Sequence, residues 1–189
     1  MTTIHQKIIY LNYFDSILET KVKPLMAIIS DLMQRENPDM LYFLFSSSGG
    51  NVDPAIALYN FLRALPVEIV MHNTGNIDSI GNIVFLAADT RYASVHSSFL
   101  LHGISWPFQA NVFLNKAQLT EILSNLNSSE SKIFGIITER TKLTTQDLIA
   151  LFAQGETKDA TFALTKELVQ EIKNPEIPKG VNVLSFNLP

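Results

Sequence analysis

The stretch NTGNIDSIGNIVFLAADTRYASVHSSFLLHG, residues 73–103, decides how this chain is interpreted. Ser79 lies in a glycine-bracketed turn before an apolar run, and His102 ends the next apolar strand. A hydroxyl at a helix start and an imidazole at a strand end can form a nucleophile and its general base. The same two residues also fit an N-cap serine and a structural histidine. Both interpretations remain open from this stretch alone.

Strand and helix patterns alternate around this stretch, from residue 7 to about residue 102. Alternation of this kind is typical of βαβ units and predicts an α/β fold with a mostly parallel sheet. The predicted strands are 7–14, 40–47, 67–72 and 97–103, and the predicted helices between them are 22–37, 52–66 and 79–89. Three further helices are predicted over 115–140, 143–153 and 159–172, followed by an extended, proline-rich tail. We expect one domain over residues 1–189.

Composition excludes several classes of function. The net charge of -4, without a cluster of basic residues, argues against nucleic-acid binding. The chain has no cysteine, its four histidines lack the spacing of a helical metal site, and no cofactor is implied. No signal peptide or bilayer-spanning run is evident, so we expect a cytoplasmic protein without a membrane partner. Only 17% of the residues are charged and 47% are apolar, which indicates buried subunit surface and a homo-oligomer.

Polar segments follow three of the predicted strands. They are SSSGG (46–50), NTGNIDS (73–79) and HG (102–103). Ligands of open α/β sheets gather at the carboxyl ends of parallel strands, so these segments are expected to meet. Ser79 would be the nucleophile and His102 the base, while Gly49 or Gly50 and the Ile80 amide would supply donors for an oxyanion. The residues alone therefore support a hydrolase hypothesis.

The order of these segments resembles the Clp protease proteolytic subunit family, within the larger ClpP/crotonase-like superfamily. The segments that carry the resemblance are FSSSGGNVDPAIALYNFLRAL, GNIDSIGNIVFLAADTRYA and SSFLLHG. The resemblance implies repeated ββα (βαβ) units over a core of about 7–103. A long handle helix and C-terminal helices would occupy about 112–173, before an extended tail at 174–189.

The same resemblance implies which residues form the site. Ser79 falls on the nucleophile and His102 on the general base. Gly50, or alternatively Gly49, falls on the oxyanion hole together with the Ile80 amide.

The third member of a catalytic triad is harder to place. Without a gap, the family's catalytic aspartate falls on Gly155 and its helix-ending glycine on Glu167. A slip of one residue would bring in Glu156, and Asp159 is the alternative of the right residue type. Asp78 also departs from the family, because it places a charge beside the proposed nucleophile.

The resemblance implies a serine endopeptidase that cleaves peptides or unfolded proteins through an acyl-enzyme, within an oligomeric ring or a dimer paired through the handle helix. The short segment before KIIYLNYF argues against docking to an AAA+ unfoldase. One alternative is a catalytically impaired paralogue that acts as a scaffold or inactive ring partner. Another is a crotonase-type acyl-CoA enzyme, which would share the fold but need neither Ser79 nor His102.

Overall fold

A computed structural model describes residues 6–105, 107 and 113–186 of the chain. Its strands are β1 (Ile8–Phe14), β2 (Met40–Ser47), β3 (Glu68–Asp78), β4 (Thr90–Ala93), β5 (Ser98–Leu100), β6 (Thr157–Asp159), β7 (Glu171–Ile172) and β8 (Val183–Ser185). Its helices are α1 (Glu19–Glu36), α2 (Val52–Ala64), α3 (Gly81–Phe85), α4 (Lys116–Arg140), α5 (Thr145–Gln154) and α6 (Ala160–Thr165).

The strands form one mixed sheet in the order β6-β5-β3-β2-β1-β8, and β4 and β7 continue from the first half of β3. All pairings are parallel except that between β5 and β6. The α/β class and the mostly parallel sheet agree with the prediction. The outermost pairing, between β1 and β8, uses part of the tail that the sequence predicted as extended.

The apolar face of the sheet packs against the helices. Alternate residues of the central strands lie on this face because successive side chains of a strand point to opposite sides. Leu11, Leu41, Phe43 and Ile69 are all buried there. The apolar run after Ser79 is buried as well, through α3 and the turn that follows it. This core holds the ends of β2, β3 and β5 side by side, where the polar segments begin.

Three predicted elements have wrong boundaries. The helix predicted over 79–89 is confined to α3, Gly81–Phe85. The third strand does not end near Met71 but continues to Asp78, because β3 exchanges partners along its length. Residues 70–73 pair with β4, and residues 76–78 pair with β5. The helix predicted over 159–172 ends at Thr165, since Glu167 has a left-handed backbone with φ 56°. The short strands β4, β6 and β7 were not predicted.

The long helix of the second half is α4, whose bounds agree with the predicted 115–140. Asn115 caps it by accepting a hydrogen bond from the Gln118 amide, and the Gln118 side chain accepts one from the Asn115 amide in return. Thr144 and Asp147 form the same reciprocal box at the start of α5. Such boxes satisfy amides that a helix start leaves unpaired. Among the described residues, no helix is long and apolar enough to cross a membrane, and no group of metal-ligating side chains was found.

Candidate active site

Ser79 occupies a strained turn between β3 and α3. Its φ of 55° lies in the left-handed region, which few residues other than glycine adopt. The turn is fastened to β5, because the Ser79 amide donates to the Leu100 carbonyl at 2.8 Å. Strained backbone that the surroundings hold in place is common at functional sites, where it presents a side chain in a defined direction. The predicted glycine-bracketed turn is therefore a tight turn centred on Ser79.

His102 follows the end of β5 and is exposed. Its Nδ1 lies 2.9 Å from the Gly103 carbonyl oxygen. A carbonyl oxygen only accepts, so Nδ1 carries the proton in this contact and Nε2 keeps a free lone pair in the neutral ring. No hydrogen bond joins Ser79 to His102 in the described part of the chain. The imidazole nevertheless has the tautomer that a general base requires at Nε2.

Gly50 and Ile80 carry the two backbone amides that are expected to bind an oxyanion. Gly50 bridges to Ile17 in parallel fashion, but the bonds of this bridge use the Gly49 carbonyl and the Asn51 amide. The amides of Gly50 and Ile80 make no hydrogen bond among the described residues. Both residues line one cavity, and backbone amides without an acceptor are the kind of donor that can stabilise a developing oxyanion. Gly49 has a packing role instead. It lies so close to Ser79 that an added Cβ would be 2.7 Å from the Ser79 Cβ.

The four predicted groups Ser79, Ile80, His102 and Gly50 line one cavity of about 580 Å³. Its buried floor is apolar and includes Ile83, Leu101, Ile133, Ile137 and part of Phe152. Helix α4 contributes a further set of lining residues, which are Asn125, Leu126, Ser128, Ser129 and Lys132. A cleft of this size with an apolar floor and a few convergent polar groups suits a small substrate segment.

The structure does not bring either candidate acid to this cavity. Glu156 is exposed and accepts from Lys158 Nζ at 2.8 Å, a hydrogen bond that lowers the pKa of the Glu156 carboxyl. Asp159 caps α6 by accepting from the Phe162 amide at 2.8 Å. Neither side chain is among the residues that line the cavity in the described structure. The acid of the triad therefore stays a prediction without a geometric partner for His102.

Asp78, the charged neighbour of Ser79, has a local partner. The Asn76 side-chain amide donates to the Asp78 carboxylate at 2.6 Å. The Asp78 carboxylate does not line the cavity within the described residues. The Asp78 carboxylate beside Ser79 is thus hydrogen-bonded to Asn76 on the same strand.

Asn82 is a site residue that the sequence analysis missed. It lies behind the Ser79 turn, is 2% exposed, and its Nδ2 is within hydrogen-bond distance of three carbonyl oxygens. Its position three residues after the serine fits an ordinary helical asparagine. What distinguishes Asn82 from such a residue is its contact with the Leu100 carbonyl of β5, which is remote in sequence.

The fold and this arrangement of groups define a class of protein. The structure is similar to that of a point mutant of ClpP1 from Listeria monocytogenes, with a TM-score of 0.77. The match covers 88% of this chain and 91% of that one at 15% identity, so it establishes the ClpP fold. The predicted fold is confirmed.

The sequence comparisons identify the family. The family model described as Clp protease matches residues 3–176, and the chain belongs to that family. It is also similar to the ATP-dependent Clp protease proteolytic subunit 2 of Pseudomonas aeruginosa, with 25% identity over 128 residues. That match covers 65% of this chain and 60% of the relative's length. The family is one of serine peptidases, and the predicted resemblance is confirmed.

Proposed function

We propose that this chain is a serine peptidase in which Ser79 attacks a peptide carbonyl and His102 is the general base. One observation carries the proposal. Ser79 sits in a left-handed turn, the amides of Gly50 and Ile80 have no acceptor among the described residues, and all three residues line the same cavity as His102. Nucleophile, base and oxyanion donors are the parts that acyl transfer requires.

In the proposed reaction, the Ser79 Oγ forms a bond to the substrate carbonyl carbon as its proton passes to His102 Nε2. The amides of Gly50 and Ile80 stabilise the resulting oxyanion. The carbon–nitrogen bond then breaks, and the leaving amine takes the proton from Nε2. Water, deprotonated by the same Nε2, hydrolyses the acyl-enzyme and frees the serine.

The group that orients the histidine is, in this proposal, the Gly103 carbonyl rather than Glu156 or Asp159. It accepts from Nδ1 at 2.9 Å and so selects the tautomer in which Nε2 is the base. A neutral carbonyl stabilises the imidazolium less than a carboxylate does, because hydrogen bonds to charged acceptors are roughly twice as strong. Loss of the acid slows a serine hydrolase but leaves the catalysis that the oxyanion hole and binding provide.

We further propose that the chain acts as part of a homo-oligomer on peptides or unfolded proteins, in the cytoplasm. The curated relative is named as a subunit, and α4 presents Leu119 and Leu123 with 51% and 59% of their surface exposed. Apolar side chains repeated along one helix face suit helix pairing between subunits. Light scattering at micromolar concentration would show a multiple of the 21.1 kDa chain mass. A monomer would contradict this part of the proposal.

Fluorophosphonate labelling followed by intact mass tests the nucleophile without knowledge of the substrate. We expect a single adduct on the wild type, none on Ser79→Ala, and full labelling of Ser128→Ala. Ser128 is the matched control because it is another serine that lines the same cavity. A folded wild type that takes no adduct would contradict the peptidase and favour the impaired paralogue.

A further inference from the structure

Asn82 connects the two segments that carry the proposed catalytic pair. Its side-chain Nδ2 donates to the Ser79 carbonyl at 2.9 Å and to the Leu100 carbonyl at 2.9 Å. It also lies 3.3 Å from the Ile77 carbonyl in β3. Leu100 is the last residue of β5 and precedes His102 by two positions. One buried amide therefore ties the serine turn, the end of β3 and the histidine-bearing strand together.

The orientation of this amide follows from its surroundings. Three carbonyl oxygens surround one end of the side chain, so that end must be the NH2 group. Its Oδ1 is buried and has no hydrogen-bond partner among the described residues. An unpaired buried acceptor costs free energy. The asparagine thus leaves one polar atom unsatisfied while its donors hold the turn.

We propose that Asn82 is a positioning residue that holds Ser79 in its left-handed turn and fixes the distance from the serine to the strand of His102. The Leu100 carbonyl accepts from both the Ser79 amide and Asn82, so both contacts pull the turn toward β5. Without the side chain, the Ser79 carbonyl keeps only the longer hydrogen bond from the Asn82 backbone amide, at 3.2 Å, and the strained turn loses its side-chain donor. The serine then relaxes toward ordinary backbone and away from its base. This inference rests on the proposed function for its catalytic consequence, but its structural part does not.

Asn73 offers a matched control. It is also a buried asparagine, with 0% of its surface exposed, but it lies on β3 rather than on α3, and its Nδ2 donates to the Ser98 carbonyl of β5 at 2.9 Å. It therefore makes the same kind of link between the same two strands but does not contact the Ser79 turn. Asn82→Ala and Asn73→Ala each remove a buried amide that donates to a β5 carbonyl, and only the first removes a contact to Ser79. Asn73→Ala also leaves the Gly75 amide without its acceptor, so it is the more demanding control for a general loss of stability.

The first experiment measures hydrogen exchange of the Ser79 amide, which needs no activity. In Asn82→Ala we expect this amide to exchange about tenfold faster or more, because the turn opens locally. In Asn73→Ala the Ser79 amide should keep its protection. Unchanged protection of Ser79 in Asn82→Ala would overturn the proposal, whether or not the protein is a peptidase.

The second experiment measures fluorophosphonate inactivation at a series of probe concentrations and separates the maximal rate constant from the probe affinity. In this reaction the Ser79 Oγ bonds to phosphorus, fluoride leaves, and the proton passes to His102. Misplacement of about 1 Å can slow such a step about 100-fold. We expect Asn82→Ala to lower the maximal rate about 10- to 100-fold with little change in affinity, and Asn73→Ala to keep a nearly normal rate.

Asn82→Asp separates donation from packing. It keeps the shape of the side chain but turns an oxygen toward the three carbonyls, so we expect it to label no faster than Asn82→Ala. Recovery in Asn82→Asp, or a normal rate in Asn82→Ala, would overturn the positioning role. A wild type that takes no adduct would instead contradict the peptidase, and the exchange of the Ser79 amide would still decide whether Asn82 holds the turn.

Discussion

Gly50→Ala tests whether the oxyanion amide depends on a site that only glycine can occupy. A Cβ built at Gly50 would lie 2.3 Å from the Ile17 carbonyl oxygen and 2.7 Å from its carbon. Ile17 cannot simply move away, because its amide bonds to the Gly49 carbonyl and its carbonyl to the Asn51 amide, both at 2.8 Å. The substitution must therefore break this bridge or displace the loop.

Either outcome, a broken bridge or a displaced loop, lowers the free energy of unfolding. Overpacking of a well-packed position costs about 1–3 kcal/mol, and two hydrogen bonds at about 1 kcal/mol each give a similar sum. We expect the free energy of unfolding to fall by about 2 kcal/mol, which lowers the Tm of a chain of this size by about 4–8 °C. Displacement of one oxyanion donor should also slow fluorophosphonate labelling of Ser79 by about 100- to 1,000-fold.

Thermal and urea unfolding, together with labelling rates, measure both effects. Gly135→Ala is the matched control, because Gly135 lies within α4 and a Cβ there meets nothing within 4 Å. We expect this second variant to gain about 0.5–1 kcal/mol and to label normally, since glycine is a poor residue for a helix interior. A Gly50→Ala protein with the melting temperature and labelling rate of the wild type would refute the reasoning.

Two further predictions concern stability. Glu167→Gly should be about 1 kcal/mol more stable than Glu167→Gln, because both lose the ion pair to Lys142 but only glycine relieves the left-handed backbone; equal urea midpoints would contradict this. Burial lowers the pKa of His72, so the unfolded chain binds its proton first. Stability should therefore fall as the pH drops below about 6.5, by up to about 1.4 kcal/mol per pH unit. His72→Gln should flatten this slope in urea titrations, and a slope parallel to that of the wild type would contradict it.

Much of the fold could be predicted because it depends on local pattern. Helix α4 has apolar residues at helical spacing and a cap at Asn115, and its observed bounds agree with the prediction. β1 and β2 are apolar runs bounded by polar residues, and their bounds agree equally well. The approach of Ser79 and His102 to one cavity also followed from a simple rule, that parallel strands present their carboxyl ends at one edge.

The rest depends on pairings that local pattern does not contain. The segment NTGNID has the composition of a turn, and it is a strand because β2, β4 and β5 each pair with part of it. Helix α6 ends early, at a place where Glu167 adopts the backbone that glycine usually adopts. The gapless resemblance had placed the family's helix-ending glycine on this same residue. Asn82 could not be predicted for the same reason, since its proposed role depends on a contact with β5.

The position of the missing acid can be argued from the register of β5 and β6. Leu100 pairs with Thr157 in the antiparallel ladder, and two more steps along both chains would set His102 opposite Gly155. The gapless resemblance assigns the family's aspartate to this same Gly155. A Cβ built there meets nothing within 4 Å, so the space for a side chain is present and the side chain is not. The neighbouring carboxylates have other partners in this structure, since Lys158 bonds Glu156 and the Phe162 amide bonds Asp159. In the proposed reaction, the Gly103 carbonyl, 2.9 Å from Nδ1, would then be the acceptor that selects the tautomer with a free Nε2.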